Sequence, residues 1–100
     1  MSKTAFELNG TNLTVKPVGE LDSMTSPVFE KELLEHLSGI TGLIVDFEQV
    51  DYISSAGMRA LLKVERTMEG QGAEMKLIHV NEYIMEIFEL AGFMDIVTVE

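Results

Sequence analysis

The stretch Asp51-Tyr52-Ile53-Ser54-Ser55-Ala56-Gly57-Met58-Arg59 decides how this chain folds. Ahead of it lies an apolar run, Leu43-Ile44-Val45-Asp46-Phe47, that reads as a buried strand; behind it a helical pattern runs from Met58 through Met68. Two hydroxyls therefore stand where a strand end turns into a helix start. The first N–H groups of a helix lack intrahelical partners and carry the positive end of its dipole. A serine in that place can cap the helix, attack a substrate, or carry a phosphate that the helix terminus accommodates. Choosing among the three is most of the functional question.

On the N-terminal side, Asn9-Gly10 reads as a hairpin turn, because both residues tolerate positive φ. It joins strands expected over 4–8 and 12–18. Leu13 and Val15 alternate with Thr14 and Lys16, which predicts a strand with one buried face. Gly19-Glu20-Leu21-Asp22 forms a connection to a helix opened by Ser26-Pro27, serine as N-cap and proline at the first helical position. Phe29, Leu33, Leu34 and Leu37 give that helix its buried stripe, and Gly39 ends it. A strand over 42–47 follows, then the second helix over 56–69, closed by Gly70-Gln71-Gly72. A fourth strand spans 74–80. A third helix starts from Asn81, with Ile84, Ile87, Phe88 and Ala91 at helical spacing, and stops at Gly92; a last strand covers 96–99. The order β-β-α-β-α-β-α-β predicts an α/β fold in which helices pack against a mixed β-sheet. With no repeat, low-complexity tract or long linker, residues 1–100 are expected to form one domain.

An apolar fraction of 46% supports a folded globule. Seventeen acidic residues against 7 basic ones give a net charge of −10, which argues against nucleic acid or an anionic membrane as partner. A basic protein partner suits that charge, although an acidic surface that only maintains solubility gives the same balance. The absence of cysteine excludes disulfides, thiol catalysis and thiolate metal sites. Met1-Ser2-Lys3-Thr4-Ala5-Phe6 lacks the apolar core of a signal peptide and no stretch approaches membrane-spanning length, so a cytoplasmic location is expected. Without secretion, the glycosylation patterns at Asn9 and Asn12 carry no weight.

Gly70-Gln71-Gly72 follows a helix and precedes a strand, the reverse of a dinucleotide loop, and reads as a helix C-cap. His36 and His79 have no ligand partner at metal spacing; each reads as a surface or strand-end residue, and no metal or cofactor is expected. The 7 methionines fall mostly at core-facing periods and read as packing. Ser55-Ala56-Gly57 is half of a hydrolase elbow, but Ile53 stands where the first glycine belongs and only His79 follows as a base. Capping by Ser54 or Ser55 is the simplest reading. It leaves unexplained a second hydroxyl beside Gly57, which permits close approach. On the second helix Leu61, Val64 and Met68 share a core face, which places Met58, Arg59 and Leu62 on the opposite shoulder beside Ser55, as partner contacts.

The chain resembles the STAS family, and within it the bacterial anti-sigma factor antagonists. The match rests on Gly19-Glu20-Leu21-Asp22, the strand bearing Asp46, the run from Val50 through Leu62, a Gly72 turn before a strand, and Leu90-Ala91-Gly92-Phe93. The resemblance implies a non-enzymatic partner switch. An anti-sigma factor that is also a serine kinase phosphorylates a serine at the start of the second helix; the unmodified protein binds that factor and frees the sigma factor. The phosphorylated form lets go, and a PP2C-type phosphatase resets it. The family's Asp-Ser-Ser/Thr-Gly pattern, laid on Ser54-Ser55-Ala56-Gly57, places the phosphoserine at Ser55, with Ser54 as the competing acceptor. Asp22 is implied to lie beside it, in a binding surface with Ser54, Gly57, Met58, Arg59 and Leu62. Ser54 stands where many phosphorylated members carry aspartate. The alternative within the family is an unmodified STAS interaction module in a transporter or signalling assembly.

Overall fold

The computed structural model describes residues 4–100; Met1, Ser2 and Lys3, the start of the stretch read for a signal peptide, lie outside the described residues. The chain runs β1 (Ala5–Asn9), β2 (Asn12–Lys16), β3 (Gly19–Leu21), α1 (Ser26–Glu35), β4 (Gly42–Asp46), β5 (Val50–Ile53), α2 (Ser55–Gly70), β6 (Glu74–Ile78), α3 (Glu82–Leu90), a short 3-10 turn (Phe93–Asp95) and β7 (Thr98–Val99). Five strands form a mixed sheet in the order β1-β2-β4-β6-β7. β1 and β2 are antiparallel, and the remaining pairs are parallel.

The register explains the core. Leu13 lies beside Leu43 and Leu43 beside Met75, and Val15 beside Val45 and Val45 beside Leu77, so one face of the sheet is a continuous apolar row. That row packs against Phe29 and Leu33 of α1, Leu61, Val64 and Met68 of α2, and Ile84 and Phe88 of α3. Thr14, Ile44 and Lys76 occupy the opposite row and are only half-buried. The expected mixed sheet with packed helices is therefore present, with two further strands.

Those two strands are β3, read from sequence as a connection, and β5, which falls between the strand expected over 42–47 and the helix expected from 56 and was assigned to neither. β4 stops at Asp46; the Val50 N–H closes a turn onto the Phe47 carbonyl at 2.9 Å, and Val50–Ile53 pairs in parallel with Gly19–Leu21 as a separate two-stranded sheet. Three or four residues carry too little periodicity to announce a strand, and only tertiary pairing makes them one. The consequence is local: the serines follow β5, and Leu21 sits beside Ile53.

Several boundaries shift for identifiable reasons. In the hairpin Asn9 pairs with Asn12, so the turn residues are Gly10 (φ 65°) and Thr11, one position beyond Asn9-Gly10. This register sets Phe6 opposite Val15, against the core. The N-cap of α1 is Thr25, not Ser26; Ser26 is the first helical residue and is buried. That helix ends at Glu35, short of Gly39. β6 stops at Ile78 because His79 turns into positive φ (58°), and the 3-10 turn over Phe93–Asp95 shortens β7 to Thr98–Val99. At the end of α2 the Gly72 N–H bonds the Glu69 carbonyl and the Ala73 N–H bonds the Met68 carbonyl, the paired bonds of a Schellman C-cap, as Gly70-Gln71-Gly72 predicts.

Candidate functional site

The two serines divide the work at the start of α2. Ser54, in extended conformation at the end of β5, is the N-cap: its Oγ accepts the Gly57 N–H at 3.4 Å and donates to the Leu21 carbonyl at 3.3 Å, while its own N–H bonds the same carbonyl at 2.9 Å. The cap position requires non-helical backbone, which the extended residue directly after β5 supplies. Of the two serines read as possible caps, Ser54 is the one that fills the role. Ser55 is the first helical residue, exposed, and its hydroxyl makes no hydrogen bond among the described residues.

Gly57 belongs to the scaffold beneath them. It is buried, and a Cβ there would lie 2.6 Å from Ile53 Cγ1 and 2.7 Å from the Leu21 carbonyl oxygen. Gly57, expected in the partner-binding surface, is thus buried beneath it, where it lets α2 close onto β3.

Asp22 lies at the end of β3, the strand that pairs with β5, and its carboxylate is engaged by its own turn. Oδ1 accepts the backbone N–H groups of Met24 at 2.9 Å and Thr25 at 3.0 Å, and the Asp22 N–H donates to Thr25 Oγ1 at 2.9 Å. Thr25 Oγ1 in turn donates to the Glu20 carbonyl at 2.6 Å. The bonds from the Thr25 and Met24 backbone hold the Asp22 carboxyl below the ordinary carboxylate range. This turn presents Met24, 83% exposed, at the rim of an open groove of about 510 Å³ lined by Pro17, Val18, Leu21, Val28 and Phe29. The sequence reading missed the groove. Asp22 followed three residues later by Thr25, a pattern of mutually bonding turn residues, was the available signal.

Met58 and Leu62, expected on the shoulder opposite the core face, are half-buried and pack against the core cluster. The core takes a wider arc of α2 than spacing suggested: Gly57, Ala60, Leu61, Val64 and Met68 are all buried, and Met58 and Leu62 form its margin. Arg59 is exposed and in no ion pair among the described residues. Among the other methionines, Met68 and Met75 are core residues, whereas Met24 and Met94 are exposed.

His79 is a strand-end residue with an unforeseen partner. Its Nδ1 lies 2.8 Å from Oδ1 of Asp46, a carboxylate only 5% exposed that also accepts the Glu48 N–H at 3.0 Å and has Lys16 Nζ at 3.9 Å. Burial raises the Asp46 pKa, but the Glu48 amide, His79 and Lys16 together outweigh it and hold the group below the ordinary value. Among the described residues His79 makes no hydrogen bond to either serine, and Ser54 Oγ is committed to Leu21, so no hydrolase constellation forms. His36 sits at the end of α1, stacked on Phe6 at 4.0 Å. No group of carboxylates or histidines among the described residues could hold a metal ion, and no helix there is long and apolar enough to cross a membrane.

Comparison with known proteins agrees with this geometry. A protein of Bordetella bronchiseptica, described provisionally as the anti-sigma factor antagonist BtrV, is 32% identical over 79 residues, which cover 78% of this chain and 68% of that protein. An anti-sigma factor antagonist of Thermotoga maritima, also described provisionally, superposes with a TM-score of 0.89 at 16% identity, over 96% of this chain and 84% of its own. The Bacillus cell fate determinant SpoIIAA in its phosphorylated form superposes with a TM-score of 0.74 at 17% identity, over 97% and 90%. Residues 3–100 match the STAS domain family, and the chain belongs to it.

Proposed function

We propose that this chain acts, as one STAS domain over residues 1–100, as an anti-sigma factor antagonist controlled by phosphorylation of Ser55. The observation that carries the reading is the division of labour at α2: Ser54 does the capping, which leaves an exposed, unbonded hydroxyl at Ser55. Aspartate and serine are both strong N-caps, so Ser54 performs the structural task of the aspartate in the family pattern. Phosphate on Ser55 adds about −1.5 to −2 charges at the positive end of a helix, where the fold tolerates them. The same charge set against an acidic or apolar partner surface is costly to desolvate. Modification therefore acts on the interface and leaves the fold intact. The unmodified chain binds an anti-sigma factor with serine kinase activity through Asp22, Ser54, Met58, Arg59 and Leu62, with Gly57 setting their spacing; phosphorylation breaks that contact, and a phosphatase restores it. The chain is a substrate of its partner and needs no catalytic residue of its own.

The test is phosphotransfer. Incubated with ATP and candidate GHKL-type serine kinases, the chain should be labelled on Ser55; Ser55→Ala should abolish the label and Ser54→Ala should keep it. Label on Ser54 that survives Ser55→Ala would overturn the assignment. No label with any anti-sigma kinase would favour an unmodified interaction module in a transport or signalling assembly.

A further inference from the structure

We infer that Tyr52 and Tyr83 form a second contact surface, built to receive an arginine-bearing segment of a partner protein. Tyr52 lies on β5 and Tyr83 in the first turn of α3; their rings stack at 6.3 Å with an interplanar angle of 29°. The two elements are clamped beside one another by Asn81, whose Nδ2 donates to the Val50 carbonyl at 3.2 Å while its Oδ1 caps α3 at the Ile84 N–H. Despite that contact, Tyr52 remains 36% and Tyr83 55% exposed. A pair of large aromatic rings is thus held side by side and left open to solvent.

The charges around the pair have one sign. Glu20 is the register partner of Tyr52, Asp51 precedes it, and Glu82 and Glu86 flank Tyr83 on α3; all four are exposed and in no ion pair among the described residues. The segments that build this face, residues 17–30, 47–58 and 77–100, contain no lysine or arginine. The basic side chains of the described residues come from β2, α1, α2 and β6 instead. A carboxylate-rimmed aromatic platform complements a cation in two ways. The carboxylates attract its charge, and the negative ring faces favour a planar guanidinium laid against them, more than a compact, strongly hydrated ammonium. Tyrosine and arginine are also the residue types that dominate interface energetics. Tyr52 precedes Ser54 by two positions, about 7 Å along a strand, so one partner can span both surfaces. The inference does not depend on whether Ser55 is modified.

The experiment is an amide and aromatic NMR titration of the whole chain with a short peptide of alternating arginine and glycine, and with its lysine counterpart. The arginine peptide should shift the ring signals of Tyr52 and Tyr83 and bind about two- to fivefold tighter than the lysine peptide, the worth of one exposed ring contact that the planar guanidinium makes and the strongly hydrated ammonium forgoes. Tyr83→Ser should remove that advantage, Tyr83→Phe should keep it, and Glu82→Gln with Glu86→Gln should weaken both peptides alike. The spectrum of each variant reports its fold directly, and Tyr52→Ser supplies the same readout from the other ring. Equal binding of the two peptides, shifts spread over the acidic surface, an advantage that survives loss of either ring, or no shifts at all would each overturn the proposal.

Discussion

Gly57→Ala probes the joint on which the serine site is built. The added methyl would sit 2.6 Å from Ile53 Cγ1, 2.7 Å from the Leu21 carbonyl oxygen and 3.1 Å from Leu21 Cβ. The first neighbour is a buried side chain and the second is backbone, so neither yields cheaply. Overpacking of this kind costs about 1–3 kcal/mol, and alanine's better helix propensity returns at most about 1 kcal/mol. The net loss should be about 1–2 kcal/mol, a fall in Tm of roughly 5–15 °C for a chain of this size. The displacement also has a direction: the Leu21 carbonyl accepts both the N–H and the Oγ of Ser54, so pushing it away loosens the cap of α2. Urea denaturation measures the stability, and hydrogen exchange at Ser54 and Gly57 measures the cap. A variant as stable as the parent, or more stable, would refute the account of Gly57 as a contact point between α2 and β3.

Ser54→Ala should cost about 0.5–2 kcal/mol as a lost N-cap, whereas Ser55→Ala should change stability by less than about 0.5 kcal/mol; chemical denaturation of the pair distinguishes cap from free hydroxyl. Asp46 is held below the ordinary carboxylate value of 3.8, so the unfolded chain takes up its proton first. Its contribution is complete above that value and vanishes as pH falls through the lower folded one. Asp46→Asn should therefore be about 1–3 kcal/mol less stable than the parent at neutral pH, with the gap closing under acid in a urea series across pH. Glu65 is shifted the opposite way, raised above 4.5 by burial and by the charge of Glu69. Glu65→Gln should stabilise the chain at neutral pH and lose that advantage below pH 4.5, in the same series. Met58→Ala and Leu62→Ala should each lose about 1–2 kcal/mol of stability from the core margin and, in titrations against the anti-sigma partner, a further 2 kcal/mol or so of affinity. Affinity losses no larger than the stability losses would leave them as core residues only.

The helices were legible because their signals are local and repeated. Leu61, Val64 and Met68 mark one face of α2, Asn81 caps α3, and Gly72 closes α2 with the bonds its sequence implies. β3 and β5 were not legible, since each is stabilised by a partner some thirty residues away and neither is long enough to alternate. The same omission left the cap undecided between Ser54 and Ser55: only the strand pairing that carries β5 to Ile53 makes Ser54 the extended residue at the helix mouth. Asp22 was named through the family resemblance of Gly19-Glu20-Leu21-Asp22, but its commitment to the Met24 and Thr25 amides emerges only from the folded turn. The Asp46–His79 pair joins the ends of two adjacent parallel strands, a proximity that linear spacing does not encode.

The measurement that bears most directly on the central claim is the affinity of two chemically defined forms of the chain for one anti-sigma kinase. The chain with a free Ser55 and the chain carrying phosphoserine at position 55 are titrated calorimetrically against the same partner, after circular dichroism has shown both to be folded. The account predicts that the free form binds and that the phosphorylated form binds at least tenfold more weakly, about 1.4 kcal/mol or more, because an uncompensated charge enters the contact. Equal affinity of the two folded forms, or tighter binding by the phosphorylated one, would contradict it.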